Sequence, residues 1–470
     1  MKRIVFLTLV WATTVNADIN RSWTLLKKSD GDVRSYPQIT KGLVESGLYF
    51  AAIPYVKEYL YKAKLIQDKK VDLLIDEIVR HVGVKQFEVL PTKFLEKSNA
   101  PTLRYILARK YFRTGEYKKS LKVLEQGISK NHPVAPFNFF LKGSAQTILK
   151  QYDKAIVSYN QCVDSAEDVE GDAKSAQQKR QIAITKDYCI IGKGRTYFAG
   201  GKYEKANLAY LDLSKSSHIW PEILFEEAWN SFYQGNYNRT LGKLVSYKAP
   251  VFSYYYNPEI DILRALTFLE LCLWADTKKS VDEFYTTYER NYQRVEGFVM
   301  SKKRDYKFFY LFAKKFLAGE KTSNELLNKM MSTVTRDPSY RELVESFNNG
   351  KDEIEKVNAK VSGRFKSILQ KNLRSSLVLQ RNLIGSYVRK QLHLHLLNTK
   401  KSFKDMSYIK LEVLSRKKRE LYGYEKATGR SRGSISNLER TDKQYFWSFN
   451  GEFWADELGD YVFSLKSECR

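Results

Sequence analysis

Small, aromatic and turn-forming residues recur in one fixed order between residues 100 and 250, four times over. The first copy places Ala108, Tyr111, Gly115, Tyr117, Ser120 and Leu124. The second has Gly143, Tyr152, Ala155 and Tyr159, and the third Gly194, Tyr197, Gly201, Tyr203, Ala206 and Tyr210. The fourth has Ala228, Phe232, Gly235, Tyr237, Thr240 and Leu244. Each copy predicts two antiparallel helices. The small residues let the helices approach, and the large ones fill the groove between them. Gly115, Gly201 and Gly235 stand where a helix must end in a left-handed residue. Pro133, Pro221 and Pro250 break the chain after a pair. Repetition at this scale predicts an α-solenoid, whose stacked pairs make extended binding surfaces.

The pattern continues outward in weaker form. Gly47-Leu48-Tyr49, followed by Ala52 and Val56, reads as a degenerate copy. Residues 71–98 place Leu73, Leu74, Ile78 and Val82 at helical spacing, and residues 258–292 read as two helices without a turn glycine. From about 350 to 422 the texture changes. Val357, Val361, Phe365, Ile368, Leu369, Leu373, Leu377, Ile384, Val388 and Leu392 recur at threes and fours among polar residues. They predict long amphipathic helices, as a coiled-coil hairpin whose returning arm would carry Leu411, Leu414 and Leu421. Near the end of the chain, Asn450-Gly451 between two aromatic alternations predicts a small β-hairpin.

The order and offsets of the four copies resemble the tetratricopeptide repeat, over residues 101–134, 136–163 and 187–250. That resemblance implies an all-α array in which the first helix of each pair lines a groove. It places Arg109, Arg113, Arg195, Trp229 and Tyr233 there, a groove basic at one end and aromatic at the other. Such a groove would hold an extended peptide with acidic residues or a free carboxylate. The architecture as a whole, with its terminal Tyr-Phe-Trp-Ser-Phe-Asn-Gly-Glu-Phe-Trp segment, is similar to exported repeat proteins of gliding and predatory delta-proteobacteria, the adventurous gliding-motility type. This implies a periplasmic scaffold in a cell-envelope or motility-associated machine.

Four features refine the expectation. Lys2-Arg3, an apolar run Ile4–Val15 and Val15-Asn16-Ala17 predict a signal peptide cleaved after Ala17, and so a periplasmic chain. The organisation expected is a signal peptide at 1–17, helical repeats at 18–349 and long basic helices at 350–426. A linker at 427–440 and the aromatic, acidic segment at 441–470 would follow. Among four cysteines, Cys162 and Cys189 stand where a disulfide would join neighbouring repeats. The formal net charge is +26, and residues 351–432 hold 21 Lys/Arg against seven Asp/Glu. Export argues against nucleic acid and for other envelope proteins, presenting an extended peptide or a helix. The basic patch Arg416, Lys417, Lys418 and Arg419 would suit an anionic lipid or lipopolysaccharide surface.

No catalytic constellation, metal set or cofactor motif is recognisable. His393 and His395 are two apart, which on a helix separates them. Glu452, Asp456 and Glu457 beside aromatics are the one arrangement that would suit an enzyme acting on an envelope polymer. The expected function is therefore a non-enzymatic interaction scaffold. The alternative is an accessory subunit or enzyme whose repeats guide a polymer substrate.

Overall fold

The computed structural model describes residues 19–63, 69–173, 175–421, 438, 441–442 and 444–469. The predicted signal peptide and most of the predicted linker lie outside them. Among the described residues the chain is helical, with no β-strand. It divides into two compact units, one of Met1–Thr196 with Pro338–Ser386, the other of Tyr197–Asp337 with Tyr387–Arg470.

The helical hairpins share one closure. In the pair Pro101–Arg113 and Tyr117–Leu124, the Gly115 amide donates to the Phe112 carbonyl and the Glu116 amide to the Tyr111 carbonyl. The same two bonds recur at Gly201-Lys202, Gly235-Asn236, Gly47-Leu48 and Gly319-Glu320. They occupy carbonyls that a helix end leaves open. The turn residue adopts φ of +69° to +97° in all five. Two further hairpins keep this closure without glycine. Lys150 (φ +59°) turns Ala135–Ile148 into Tyr152–Glu170, and Cys272 (φ +58°) turns Glu259–Glu270 into Trp274–Ser301. A non-glycine residue there costs about 1 kcal/mol, which packing of the flanking helices offsets.

The small positions work as matched pairs. Where the first helix carries alanine, the second carries a hydroxyl that bonds back to it. Ser120 donates to the Ala108 carbonyl (2.9 Å) and Thr240 to that of Ala228 (3.3 Å). Where the first helix carries glycine, at Gly143, the ring of Tyr159 takes the space a Cβ would fill. Within its unit each hairpin packs on the next: Tyr117–Leu124 on Ala135–Ile148, Tyr203–Leu211 on Trp220–Tyr233, and Tyr237–Val245 on Glu259–Glu270.

Residues 69–95 depart from the pairwise scheme. Lys69–Val82 is a full helix, but single turns, Lys85–Glu88 and Thr92–Leu95, follow it. Gly363–Leu421 is one helix of 59 residues, so Leu411, Leu414 and Leu421 continue it and do not return along it. Phe365, Leu369, Leu373, Ile384, Val388, Leu392 and Leu396 are all buried along it. In the first unit, Phe365, Leu369 and Leu373 join a core with Leu43, Phe50, Ile53 and Leu60. The helix Tyr49–Lys62 has no local side-chain cap. Glu353, from Pro338–Lys360, supplies one: it accepts from the Phe50 amide (2.9 Å) and the Ala51 amide (3.2 Å). Burial pushes the Glu353 carboxyl up to about 8, against the pull of those amides.

The expected C-terminal β-hairpin is not present. Asn450-Gly451 does turn: Gly451 has φ +97° and the Glu452 amide donates to Asn450 Oδ1 (3.1 Å). Phe449 and Phe453 fold back together, 5.3 Å apart, with Tyr461 against both. No ladder forms beside this turn, and the backbone groups further along bond to the fourth and fifth pairs. The Gly459 amide donates to Ser246 Oγ, the Phe463 amide to the Asn238 carbonyl and the Glu468 amide to the Leu271 carbonyl.

Candidate binding surfaces

The five residues expected in the groove have different surroundings. Arg109 and Arg113 both reach Glu88, which lies on the single turn Lys85–Glu88. Arg109 Nε stands 3.0 Å from one carboxylate oxygen and Arg113 Nη1 2.8 Å from the other. One acid thus already engages the two cations meant for a partner's carboxylate. Arg195 is half-buried on Ala176–Ala199, where its charge acts on the buried Tyr159. Trp229 and Tyr233 belong to the second unit and do come together, with ring centroids 5.9 Å apart. Tyr233 stacks on Tyr203 at 5.6 Å and meets Phe198 edge-on at 5.4 Å, yet remains 54% exposed. The result is an open aromatic face on the first helix of the fourth pair. Rings of this kind give contact area at low entropic cost.

Within the second unit, a cavity of about 300 Å³ opens beside Tyr237–Val245, Glu259–Glu270 and Trp274–Ser301. Its wall is polar. Arg264 bridges Asp261 (3.1 Å) and Glu283 (2.9 Å), and the Tyr288 hydroxyl donates to Asp261 (3.0 Å). Burial raises the Asp261 carboxyl, with Arg264 pulling it back. Lys248, Lys279 and Lys329 also line the cavity, and Phe463 of the C-terminal segment closes one side.

That segment is the second surface, and sequence reasoning missed how it is held. After a turn at 455–460, residues 461–465 run along the second helix of the fourth pair, and Ser467–Cys469 reach the turn of the next pair at Leu271 and Cys272. Asn238 clamps the backbone twice: its Oδ1 accepts from the Leu465 amide (2.9 Å) and its Nδ2 donates to the Leu465 carbonyl (3.0 Å). Gly242 makes the approach feasible, since a Cβ there would stand 1.7 Å from the Tyr461 carbonyl oxygen. Lys243 and Glu227 form a buried ion pair beneath, and Lys243 also donates to the Gly459 carbonyl (3.3 Å). Lys215 holds Asp460 at 2.8 Å. A Cys272–Cys469 disulfide fixes the end. Two signals were available in the sequence. Gly242 lies inside an amphipathic helix where no turn needs it, which marks a close backbone approach. The even cysteine count also leaves Cys272 and Cys469 as partners once the other two are joined.

Cys162 and Cys189 are themselves bridged, with Cα atoms 6.1 Å apart. Arg416 pairs with Glu412 (3.1 Å) and lies over Trp274; the side chains of Lys417, Lys418 and Arg419 lie outside the described ones. Glu452 and Asp456 are exposed. His395 is packed edge-on against Tyr256, and burial lowers its imidazole to about 4.

Comparison with known proteins agrees with the hairpin geometry at one place. Residues 138–169 match the family model described as tetratricopeptide repeat. They span nearly all of the pair joined at Lys150, and they support a role in protein–protein interaction. No curated protein matches the chain.

Proposed function

We propose that this chain is a non-enzymatic adaptor of the periplasm, whose repeats hold extended segments of other envelope proteins. A motility-associated machine is one such setting, and an envelope-assembly complex is another. The observation that carries the reading is the treatment of residues 458–469. A helix pair here grips an extended chain through an asparagine amide clamp and a glycine-floored contact, the chemistry that peptide recognition requires. The open face around Trp229 and Tyr233 offers aromatic anchors for a partner on the same pair. Export rests on the Lys2-to-Ala17 segment.

The test is a photo-crosslinking amino acid at Tyr233, in cells. The expected result is a discrete adduct in the envelope fraction that Trp229→Ala removes, on a chain whose mature N-terminus is Asp18. Absence of any adduct above that of a crosslinker at exposed Lys118 would overturn the adaptor reading. A chain recovered from the cytosol with Met1 retained would overturn the compartment. A polymer-cleaving activity abolished by Glu452→Gln would favour the enzyme alternative.

A further inference from the structure

Two exposed faces of the second unit are complementary in chemistry. The first lies on the long helix. Over residues 387–416 its buried side includes Leu392, Leu396, Met406, Ile409 and Val413. The opposite side carries a second seam at alternating steps of three and four: Leu394, Leu397, Lys401, Lys404, Tyr408 and Leu411. The four apolar members are 45–62% exposed. Such spacing is that of a helix made to be covered along its length. Residues 387–416 hold seven Lys/Arg against Asp405 and Glu412.

The second face is the stretch before the clamped tail. Tyr445, Trp447, Phe449 and Trp454 are 54–77% exposed. Residues 444–457 contain Glu452, Asp456 and Glu457 and no basic residue. Aromatic anchors bordered by acids stand against an aliphatic seam interrupted by lysines. Both are uncovered in one chain, so neither covers the other there.

We propose that the two faces pair between copies of this chain, the aromatic, acidic stretch 444–457 of one lying along the 394–411 seam of another. Opposite charge selects this pairing. Seam-on-seam association would oppose Lys401 and Lys404 to their own counterparts, a like-charge contact that disfavours two helices packing directly. Residues 461–465, a few positions further on, already lie along a helix of this unit. Each copy offers both faces, so a two-fold dimer makes the contact twice. The inference is independent of what the repeats hold.

Sedimentation equilibrium of the purified chain tests it. The wild-type chain is expected to dimerise at low salt and to weaken as salt screens the lysines. Lys401→Glu with Lys404→Glu, and separately Trp447→Ala with Trp454→Ala, should each raise the dimer dissociation constant by at least about tenfold. An equimolar mixture of the two variants retains one intact contact and should regain part of the association. Adding Glu452→Lys with Asp456→Lys to the lysine variant should restore self-association. Unchanged circular dichroism keeps a folding defect from imitating these results. A wild-type chain that stays monomeric at about 100 μM would overturn the pairing. So would a dimer indifferent to both variants. Lysine-dependent sedimentation of a monomeric chain with phosphatidylglycerol vesicles would also overturn it, and would give the seam to a lipid surface.

Discussion

The second and fourth helix pairs share a hairpin geometry and are completed in opposite ways. In the second, a tyrosine fills the space from inside the array. Tyr159 lies against Gly143 and Gly192, where added Cβ atoms would stand 2.9 and 2.3 Å from its ring. Its hydroxyl meets Ser144 Oγ at 3.2 Å, and the Cys162–Cys189 bridge ties the pair to the next helix. In the fourth, the tail lies along the second helix over Gly242, with an ion pair buried beneath it. Glycine serves both, but the first glycines admit a ring and Gly242 admits a backbone. The helical hairpin is thus a constant frame, and what covers it is set by which residues omit a Cβ.

The largest effect is expected where the fourth pair buries charge. Lys243→Met leaves Glu227 without its counter-ion, both side chains being 6–7% exposed. Breaking such a pair from one side costs about 3–5 kcal/mol. Urea unfolding of the variant should show this loss, and a loss below about 1 kcal/mol would mean that the pair is solvated.

The buried acid of the first unit sharpens the contrast, because Glu353 is bonded to amides, with the Lys356 ammonium a weaker influence and no ion pair formed. Its folded carboxyl, raised to about 8, binds a proton that the unfolded chain releases near the ordinary carboxyl value of 4.5. Its contribution is therefore complete below the unfolded value and is lost as pH rises toward 8. Between those limits stability should fall by up to about 1.4 kcal/mol per pH unit. Glu353→Gln keeps an acceptor for the helix end and should flatten that slope in denaturation series at successive pH values. An unaltered slope would place the titration elsewhere.

Gly192→Ala tests the second pair. Alanine favours a helix by about 1 kcal/mol over glycine, but the clash with Tyr159 costs about 1–3 kcal/mol, so the variant should melt earlier. A higher melting temperature would show that the ring moves freely. Gly242→Ala should have the smallest global effect and the most local one. The helix gains propensity while Tyr461 is forced away. Hydrogen exchange should then quicken at the Phe463 and Leu465 amides and leave the hairpin amides protected. Equal protection of both sets would contradict the close approach.

The groove residues show how far the sequence reached. Trp229 and Tyr233 were placed together by repeat offsets, and the structure joins them through Phe198 and Tyr203. Arg109 and Arg113 were placed on the groove by the same offsets. Glu88 engages both, from a segment outside the repeat register whose position no offset reports. The terminal hairpin was read from Asn450-Gly451, and the turn is there. No strand pairing follows it; the chain turns again at 455–460, and Asn238, Ser246 and Leu271 bond the backbone beyond.

By itself the sequence determined the hairpins. A left-handed turn residue, a small residue opposite a small or hydroxyl residue and a wedge at the next turn act within about 20 residues, so their spacing is written along the chain. Only the tertiary structure decided which distant groups finish each hairpin: Glu353 on the amides of Phe50 and Ala51, Asn238 on Leu465, Cys272 with Cys469. Those contacts join residues about 200 to 300 positions apart. They depend on the path of the whole chain, because a helix end or a glycine floor specifies the chemistry it accepts and not the segment that brings it.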